Sequence, residues 1–592
     1  MNDNMTWDLE IMYKDHKDPK YKKDFKELKN KLEEAKKLSK KYESNDLDYI
    51  EAYLKLEEEI NVLVGELYQY NGLRLATNTN DDKAQAEVGK LMFMLQETVI
   101  PEVEFKKRIK NIDLDELSKK SNIIKDYLFN LKYIQTEAMH MLSDKEEVLA
   151  NKFQMVASES WSELQGLLTS NLLVKVKGKS KKLPLSEVRN LAYDNDKDIR
   201  LNAYKAELKA YKQIETSIAM SLNNIKREVN IMNDLRGYKD ALEKTLIQSN
   251  MKKATLDALI EALSEEQENF RRYFKLKAKA LGYENSLPFY ELFAPMGKLT
   301  KKYTFDEAKA LVLDVYRSFS EPLYEMGKEA FENRWIDVYP KAGKEGGAFC
   351  AGIDNHKQSR VLTNFTGSLG DVQTLAHELG HAYHGKVCLE NKILNRDYPM
   401  QLAETASIFC QTLMAKKMIN ELENPFEKLT VVEESLQEDS QCVVDILSRF
   451  FFEKSVLETP IEQPLNAKDM CKMMLKAQDK TYGDGLDKKY RHPYMWLCKG
   501  HYYSAGMNYY NWPYAFGLLY AKGLYKKYLE DKEGFVAKYD EMLKATTLMN
   551  VEEVAATMGI DVTKKEFWLS SLKFIEEDID LFEKLLKETK MI

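Results

Sequence analysis

The sequence lacks several features by which whole classes of protein are identified. No run of about 18 apolar residues occurs in its 592 residues, so no membrane-spanning helix is predicted. The first residues show no basic start followed by an apolar run, so no export signal is predicted and we expect a cytoplasmic protein. The net charge of −7 provides no general basic field for nucleic acid. We therefore expect neither a membrane nor a nucleic acid as a partner.

Proline, glycine and cysteine are also scarce. Only 13 prolines and 25 glycines interrupt the chain, while 31% of the residues are charged. This composition favours long amphipathic helices over many short strands. The six cysteines show no Cys-x-x-Cys spacing, and in a large chain without an export signal we expect them to stay reduced. The predicted fold class is mainly α with a small β-sheet.

The chain has only 8 histidines, yet two of them stand four residues apart in His377-Glu378-Leu379-Gly380-His381. On a helix, positions i and i+4 share one face, so both imidazoles can reach one metal ion. Glu378 points about 100° around such a helix, where it can take a proton from a metal-bound water without being a ligand. This spacing is typical of a zinc hydrolase.

The residues around this motif favour a helix. Residues 359–365 are predicted to form a short strand, glycines follow, and Asp371 is placed to cap a helix that starts at Val372. Apolar residues then recur at helical spacings, so we expect a largely buried amphipathic helix. Gly380 costs such a helix about 1 kcal/mol relative to alanine, which suggests that another backbone or a substrate approaches closely there. The alternative is a pair of core histidines on an apolar helix.

A catalytic zinc site usually has three protein ligands and one position for water. The candidate third ligand is Glu404, whose sequence neighbours are mostly apolar, so that it faces the interior and needs a partner such as a metal. An ion pair between Glu404 and Lys416 or Lys417 is the alternative. His384, three residues after His381, competes as a ligand, although it extends the row of histidines rather than closing a tetrahedron.

These residues belong to longer blocks that carry a family resemblance. The segment 371–384 and the Ala-Glu-Thr-Ala-Ser segment around Glu404 resemble the oligoendopeptidase F family within the thimet-oligopeptidase-like zinc peptidases. One departure is Gln411, seven residues after the glutamate, where many members have an acidic residue. If this position orients a zinc-bound histidine, an amide must do so here, by a hydrogen bond without charge.

Two further blocks support the resemblance. The sequence Gly-Gly-Ala-Phe-Cys at 346–350 is similar to the family's strand at the cleft edge, where a peptide can add as an extra strand. The segments similar to the family's C-terminal signature are 492–496, 499–503 and 509–517. The predicted substrate-binding residues are Gly346, Gly347, Ala348 and Phe349. The predicted cofactor is one zinc ion per chain, with the ligands His377, His381 and Glu404.

Hydrolysis of a peptide bond builds negative charge on the carbonyl oxygen, which fixed donors can stabilise. The candidate donors are His501, Tyr510 and Tyr514. The spacing of four puts the two tyrosines on one helix face, provided that Pro513 falls in the first turn of that helix. Packing is the ordinary role of most of the 34 tyrosines, and the substitutes for the two candidates are Tyr503 and Tyr509.

Helical periodicity is the main guide to domain organisation. Helical segments are predicted at 21–42, 48–70, 82–95, 198–232, 252–281, 305–332, 533–548 and 564–590. The predicted divisions are an N-terminal helical region at 1–115, a helical oligopeptidase N-terminal subdomain at 116–195 and a zinc peptidase catalytic domain at 196–592. We expect one elongated multi-helix body with a deep substrate channel between the N-terminal helices and the zinc-binding helices.

The predicted function is hydrolysis of internal bonds in short unstructured peptides, with Glu378 as general base and then as proton donor to the leaving amine. One alternative is a zinc carboxypeptidase, which needs a basic residue for the terminal carboxylate, and none can be singled out among 88 lysines and arginines. The other alternative is a peptide-binding scaffold that keeps zinc for stability alone. The sequence is compatible with a monomer and with a small homo-oligomer.

Overall fold

Helices make up most of the molecule, whose computed structural model describes residues 5–40, 45–297 and 301–592. The first helices are α1 (Pro19–Leu38), α2 (Asp46–Thr77), α3 (Asp82–Leu95), α4 (Val99–Ile109), α5 (Leu114–Ser118), α6 (Asn122–Asp126), α7 (Leu128–Met139), α8 (Asp144–Val156) and α9 (Ser158–Ser170). The next are α10 (Leu185–Asn190), α11 (Lys197–Tyr211), α12 (Glu215–Leu235), α13 (Ala241–Gln248), α14 (Lys253–Glu265), α15 (Gln267–Ala280), α16 (Phe305–Phe319), α17 (Glu321–Glu332) and α18 (Leu369–Cys388). The last are α19 (Met400–Ala403), α20 (Thr405–Glu421), α21 (Pro425–Ser440), α22 (Ile446–Leu457), α23 (Ala467–Thr481), α24 (Trp512–Glu530), α25 (Lys532–Ala545), α26 (Val551–Thr557) and α27 (Lys565–Glu588).

The strands are short and form small sheets. They are β1 (Leu173–Val174), β2 (Leu183–Pro184), β3 (Ile336–Asp337), β4 (Phe349–Ile353) and β5 (Gln358–Leu362). β1 pairs with β2, and a three-stranded sheet has the order β3-β5-β4, with β3 parallel and β4 antiparallel to β5. The predicted class, mainly α with a small sheet, is confirmed.

The chain divides into two compact units, each built from separate stretches of sequence. Unit 1 comprises Met1–His140, Lys301–Lys417 and Lys527–Gly559. Unit 2 comprises Met141–Thr300, Met418–Lys526 and Ile560–Ile592. The division of the sequence after residues 115 and 195 stays a prediction.

The core of unit 1 joins its N-terminal helices to the three-stranded sheet. Leu28 and Leu32 of α1, Leu67 of α2, Ile353 of β4 and Leu362 of β5 are buried in one apolar cluster. Burial of such side chains contributes about 1.5 to 3 kcal/mol each, so α2 is fixed firmly beside β4.

A large apolar cluster of unit 2 surrounds the segment before α24. Trp496, Leu497, Tyr502 and Tyr503 are buried in it, together with apolar residues of α12 and α23. The chain around residue 501 is therefore held by its immediate neighbours, although it lies outside the long helices.

The helix predicted at 82–95 is present with these ends, whereas the other helices predicted from periodicity have different ends or form two helices. The helix predicted at 21–42 ends at Leu38, and residues 41 and 42 lie outside the described part of the chain. The segments at 198–232, 252–281 and 305–332 each form two helices. In the last of these, Ser320 caps α17 with its side chain and a proline follows in the first turn.

Among the described residues, no helix has the length and apolar character that crossing a membrane requires.

Candidate metal centre and active site

The helix that carries the histidine pair, α18, begins at Leu369. Ser368 Oγ accepts a hydrogen bond from the Asp371 N–H at 3.1 Å, and the Asp371 carboxylate accepts one from the Ser368 N–H at 3.0 Å. This capping box satisfies N–H groups that a first turn leaves unpaired. The helix therefore starts three residues before the predicted Val372, and Asp371 caps it from inside the first turn.

His377 and His381 lie one turn apart on α18 and face the same carboxylate. Their Nε2 atoms are 3.3 Å and 3.4 Å from Glu404 Oε2. One ligand atom from each of the three residues lies within 4.8 Å of the others, and all three side chains are partly exposed. Glu404 stands at the junction of α19 and α20, rather than inside a helix. The three donors can therefore surround one ion.

Gly380 allows the two helical segments to approach closely enough for this geometry. A Cβ atom at position 380 would lie 2.7 Å from Ser407 Cα and 2.8 Å from the Ala406 carbonyl oxygen. Carbon atoms pack at about 3.5 to 4.0 Å, so a larger residue would displace the backbone of α20. The close approach predicted at Gly380 is confirmed, and what approaches is another backbone.

Side chains around the cluster orient two of its members. Gln411 Oε1 is 2.9 Å from His377 Nδ1, so the imidazole donates from Nδ1 and keeps the Nε2 lone pair for a metal. Ser407 Oγ donates to Glu404 Oε2 at 2.7 Å. An amide oxygen thus makes the contact for which the sequence resemblance would supply an acid.

Glu378 lies beside the cluster and is not among its three candidate ligands. Only 7% of its surface is exposed. Burial raises the pKa of Glu378, while the charges of His377 and His381 oppose the shift and Glu404 adds to it. A carboxylate with a raised pKa is a stronger proton acceptor near neutral pH, which suits a general base.

Two residues considered as alternatives in the sequence are engaged elsewhere. His384 is fully buried, its Nε2 is 2.9 Å from Thr546 Oγ1, and its ring stacks on Tyr398 with centroids 4.0 Å apart. Burial lowers the pKa of His384 to about 3. Lys417 forms an ion pair with Asp314. His384 is therefore a packing residue of unit 1.

The cluster opens into a cavity of about 840 Å³ inside unit 1. Its walls come from α2, β4, α18 and the segment 393–404. Asn61 and Gln69 of α2 reach it, together with Glu378 and the three candidate ligands. A cavity between an N-terminal helix and the histidine helix, as predicted for the channel, is therefore present.

The strand β4 forms one wall of this cavity. In the described residues it pairs only with β5, so its other edge offers free backbone groups. Ala348 and Phe349 line the cavity, whereas Gly346 and Gly347 form a bend before the strand. The strand predicted to include both glycines begins at Phe349, because Gly347 has a φ of +80° and Asn364 Nδ2 donates to its carbonyl oxygen at 2.8 Å.

His501, Tyr510 and Tyr514 form a second group, which lies in unit 2. The hydroxyl oxygens of Tyr510 and Tyr514 are 2.8 Å apart. The rings of His501 and Tyr510 stack with centroids 5.7 Å apart, and all three side chains are partly exposed. The structure thus brings the three candidate donors together.

The reason for this contact differs from the prediction. The helix α24 begins at Trp512, so Pro513 falls in the first turn, but Tyr510 precedes the helix and shares no helix face with Tyr514. Tyr509 has a φ of +53°, and this left-handed residue turns the chain just before the helix. The two hydroxyls therefore meet across the start of α24 rather than along one helix face.

The substitutes Tyr503 and Tyr509 face the interior. Tyr503 donates from its hydroxyl to the Trp496 carbonyl oxygen at 3.1 Å. The Tyr509 ring packs on Phe450 with centroids 5.3 Å apart. Both tyrosines are buried, so they pack unit 2 rather than offering donors to a ligand.

Sequence reasoning missed several residues of the two groups. Asn511 Nδ2 is 2.8 Å from His501 Nε2. The sequence offered one indication of this residue, namely its position directly after the candidate donor Tyr510. Ser407 lies one helical turn after Glu404, which is a comparable signal. The α2 residues in the cavity wall have no signal, because contacts between distant segments leave no local pattern.

The chain was compared with models of protein families and with curated proteins. It matches the model of peptidase family M3 over residues 190–574 and the model described as Oligopeptidase F over residues 107–172. It is 25% identical to Oligopeptidase PepF of Bacillus subtilis over 596 residues, which cover 99% of this chain and 88% of that protein. It is 25% identical to the plasmid Oligoendopeptidase F of Lactococcus lactis subsp. cremoris over 602 residues, or 99% of this chain and 98% of that protein.

Solved structures share the fold over almost the whole chain. A protein from Chlamydophila abortus superposes with a TM-score of 0.81 at 21% identity, covering 99% of both chains. Oligoendopeptidase-F from Enterococcus faecium superposes with a TM-score of 0.71 at 18% identity, covering 96% of this chain and 99% of that one. At these identities the likeness concerns the fold.

Proposed function

The chain belongs to peptidase family M3 and is therefore a peptide-cleaving metallopeptidase; we propose that it is a zinc-dependent oligoendopeptidase with one zinc ion per chain. The observation that carries the proposal is the cluster of His377, His381 and Glu404, whose ligand atoms lie within 4.8 Å of one another. The buried Glu378 reaches the same cavity. This combination provides a metal site together with a base.

The donor set fits zinc. Two imidazole nitrogens and one carboxylate oxygen are the ligands of one common type of catalytic zinc site, which leaves a fourth position open. The contact of Gln411 with His377 fixes the tautomer that a metal requires, as partners of metal-bound histidines do. A zinc ion held there would supply a Lewis acid and would lower the pKa of water toward about 7.

Glu378 is the proposed general base. It takes the proton of the attacking water and gives that proton to the leaving amine when the peptide bond breaks. Its place in the cavity and its raised pKa support both steps, because the group must be ionised first and protonated later.

His501, Tyr510 and Tyr514 are the proposed donors to the oxygen of the scissile carbonyl. Negative charge develops on this oxygen during attack, and fixed donors aimed at it lower the barrier. The contact between the two tyrosine hydroxyls and the stacking of His501 on Tyr510 support a shared role. The similarity of this segment to the family's C-terminal signature supports it as well.

The proposed substrates are short unstructured peptides. An extended peptide can pair with the free edge of β4, with Ala348 and Phe349 in the cavity wall and the bend at Gly346 and Gly347 beside it. Only a segment without its own secondary structure has free backbone groups for this pairing. We also propose a cytoplasmic location, in which the six free cysteines would stay reduced.

Removal and return of the metal test the zinc assignment. We expect purified protein to contain one zinc ion per chain by plasma mass spectrometry, and cleavage of an internally quenched peptide to stop after chelation. Added zinc should restore cleavage in the wild type but not in His381→Ala, which lacks a ligand. Undiminished cleavage by metal-free protein would overturn the proposal.

A further inference from the structure

Asn511 lies between His501 and Arg449 and contacts both side chains. We propose that Asn511 is a positioning residue that holds His501 as the neutral tautomer protonated on Nδ1. The Nδ1–H group is then the donor that His501 offers to the substrate. The inference rests on the catalytic role proposed for His501.

The orientation of the Asn511 amide follows from its contact with Arg449. Arg449 Nη1 lies 3.3 Å from Asn511 Oδ1. A guanidinium has donors and no acceptor, so the amide atom that faces it must be the oxygen. The amide nitrogen therefore points the other way, and it lies 2.8 Å from His501 Nε2. The reverse orientation would set two donors against each other.

The tautomer of His501 follows by the same reasoning. The Asn511 Nδ2 group donates, so His501 Nε2 must accept and carries no proton. A neutral imidazole has one N–H, which then resides on Nδ1. In the described part of the chain Nδ1 has no hydrogen-bond partner, so this N–H is available to a ligand.

Neighbouring charges keep the imidazole neutral. Burial and the positive charges of Arg449, Lys499 and Lys226 lower the pKa of His501 to about 3, and Asp445 opposes the shift. A proton on Nε2 would also face the Asn511 amide donors. The contact and the surrounding charges therefore favour the same neutral form.

Arg449 is itself held in place. Its Nη2 donates to the carboxylate of Asp445, and the Tyr482 hydroxyl donates to the other oxygen of that carboxylate at 3.2 Å. Asp445 ends a π-helical turn between α21 and α22, an irregularity that is frequent at functional sites. Asn511 is only 3% exposed, so water competes little for its amide. A chain of hydrogen bonds thus reaches the imidazole from a buried tyrosine.

Nuclear magnetic resonance of the full chain, labelled with ¹⁵N in histidine, reads the tautomer directly. The signals of His501 are those that disappear in His501→Gln. We expect the wild-type ring to be protonated on Nδ1, and Asn511→Asp, whose carboxylate accepts, to move the proton to Nε2. A wild-type ring protonated on Nε2, or an Asn511→Asp ring still protonated on Nδ1 alone, would overturn the proposal.

Peptide cleavage adds a functional readout. Asn511→Asp removes the proposed donor, so it should lower kcat by at least about tenfold with little change in KM, as wrong-tautomer variants of other hydrolases do. In the His501→Gln background the same substitution should have no further effect. An equal loss of kcat in both backgrounds would indicate a purely structural role and would contradict the proposal.

Asn466→Asp is the matched control. Asn466 caps α23 on the exposed surface of the same unit, and aspartate caps a helix equally well. We expect its kcat and its His501 signals to equal those of the wild type, and loss of kcat with a shifted tautomer here would instead indicate a general charge effect. If His501→Gln keeps full activity, the catalytic role of His501 fails, while the spectra still decide the positioning role of Asn511.

Discussion

Glu378 follows a candidate metal ligand directly in sequence, yet its carboxylate lies outside the ligand cluster and inside the same cavity. His377 and His381 reach Glu404 with their Nε2 atoms, whereas Glu378 is buried beside them. Adjacent residues of one helix are therefore placed for different proposed roles, because successive side chains point in different directions around its axis. Substitution of a ligand should remove the metal, and substitution of the base should not.

Glu378→Gln should keep the metal and lose turnover. The amide has nearly the shape of the carboxylate but cannot accept a proton, so kcat should fall by on the order of 10³-fold. Metal content by plasma mass spectrometry and steady-state cleavage of a quenched peptide measure the two effects. Glu390→Gln, an exposed residue just after α18, should match the wild type. A Glu378→Ala protein that still turns over normally would remove the general-base assignment.

Gln411→Leu should weaken metal binding without removing a ligand. Loss of the hydrogen bond to His377 Nδ1 frees the ring and its tautomer, and comparable losses cost about 10- to 100-fold in metal affinity. Competition with a zinc-binding dye gives the dissociation constant. Gln411→Glu, which keeps an acceptor at this place, should bind zinc at least as well as the wild type. Equal affinity in Gln411→Leu would show that the contact does not orient the ligand.

Among the helices and strands, the geometry of the candidate metal site depends on the crossing of α18 with the start of α20. Gly380 has backbone atoms of Ala406 and Ser407 directly against it, and Glu404 precedes these residues by one turn or less. The distance between the helical segments is therefore set by the missing side chain at position 380.

Gly380→Ala should push the two segments apart. The added methyl group overlaps the α20 backbone, so we expect a loss of about 1 to 3 kcal/mol in unfolding free energy, together with weaker zinc binding. Gly385→Ala on the same helix is the control, because a Cβ there meets nothing within 4 Å. It should raise stability by up to about 1 kcal/mol through helix propensity. Urea unfolding of both variants measures the difference, and an unchanged Gly380→Ala would refute the close approach.

Local patterns predicted some elements well and others poorly. The histidine helix, its close neighbour at Gly380 and the helix at Asp82–Leu95 follow from spacing and capping residues within a few positions. The predicted start of β4 was wrong, because Gly347 has a φ of +80° and lies in a bend before the strand. Asn364 stabilises this bend by donating a hydrogen bond to the Gly347 carbonyl oxygen. The contact of Tyr510 with Tyr514 joins a residue before α24 to one inside it, which helical spacing cannot indicate.

At the scale of the whole molecule, each unit contains a buried carboxylate that stays ionised. Hydrogen bonds from His356, Lys20 and Asn355 overcome burial and lower the pKa of Glu66 in unit 1 to about 2. In unit 2, burial of Glu207 is likewise outweighed, by His492, Arg189 and Tyr211, which lower its pKa to about 2. A depressed folded-state pKa makes the stability contribution complete above the unfolded value and lost as the pH falls.

The unfolding free energy should therefore fall as the pH drops from 4.5 toward 2, the window between the ordinary and the lowered pKa of Glu207. Glu207→Gln cannot lose a proton, so it should be less stable than the wild type at neutral pH and show a flatter decline in acid. Urea unfolding at a series of pH values measures the slope, with exposed Glu588→Gln as the control. A Glu207→Gln slope equal to that of the wild type would contradict this origin of acid sensitivity.

The division into units could not be derived from the sequence. Each unit combines three separate stretches, and two of the boundaries fall inside single helices, after Lys417 in α20 and after Lys526 in α24. Long-range burial, such as that of Leu28 with Leu362, decides this division and leaves no composition shift in the chain. The candidate ligands could be proposed from the sequence because His377 and His381 share one short segment with Gly380, and Glu404 follows His381 by only 23 residues.

The proposed reaction is hydrolysis of internal peptide bonds at the cluster of His377, His381 and Glu404. The most direct test is mass spectrometry of a short peptide, blocked at both ends, after incubation with the purified protein. We predict cleavage at internal bonds that stops with a chelator and in Glu378→Gln, since an endopeptidase needs no free terminus. Cleavage of only the unblocked peptide, one residue at a time from its C-terminus, would instead establish a carboxypeptidase. If the zinc-loaded protein cleaves neither peptide, the proposed endopeptidase activity is wrong.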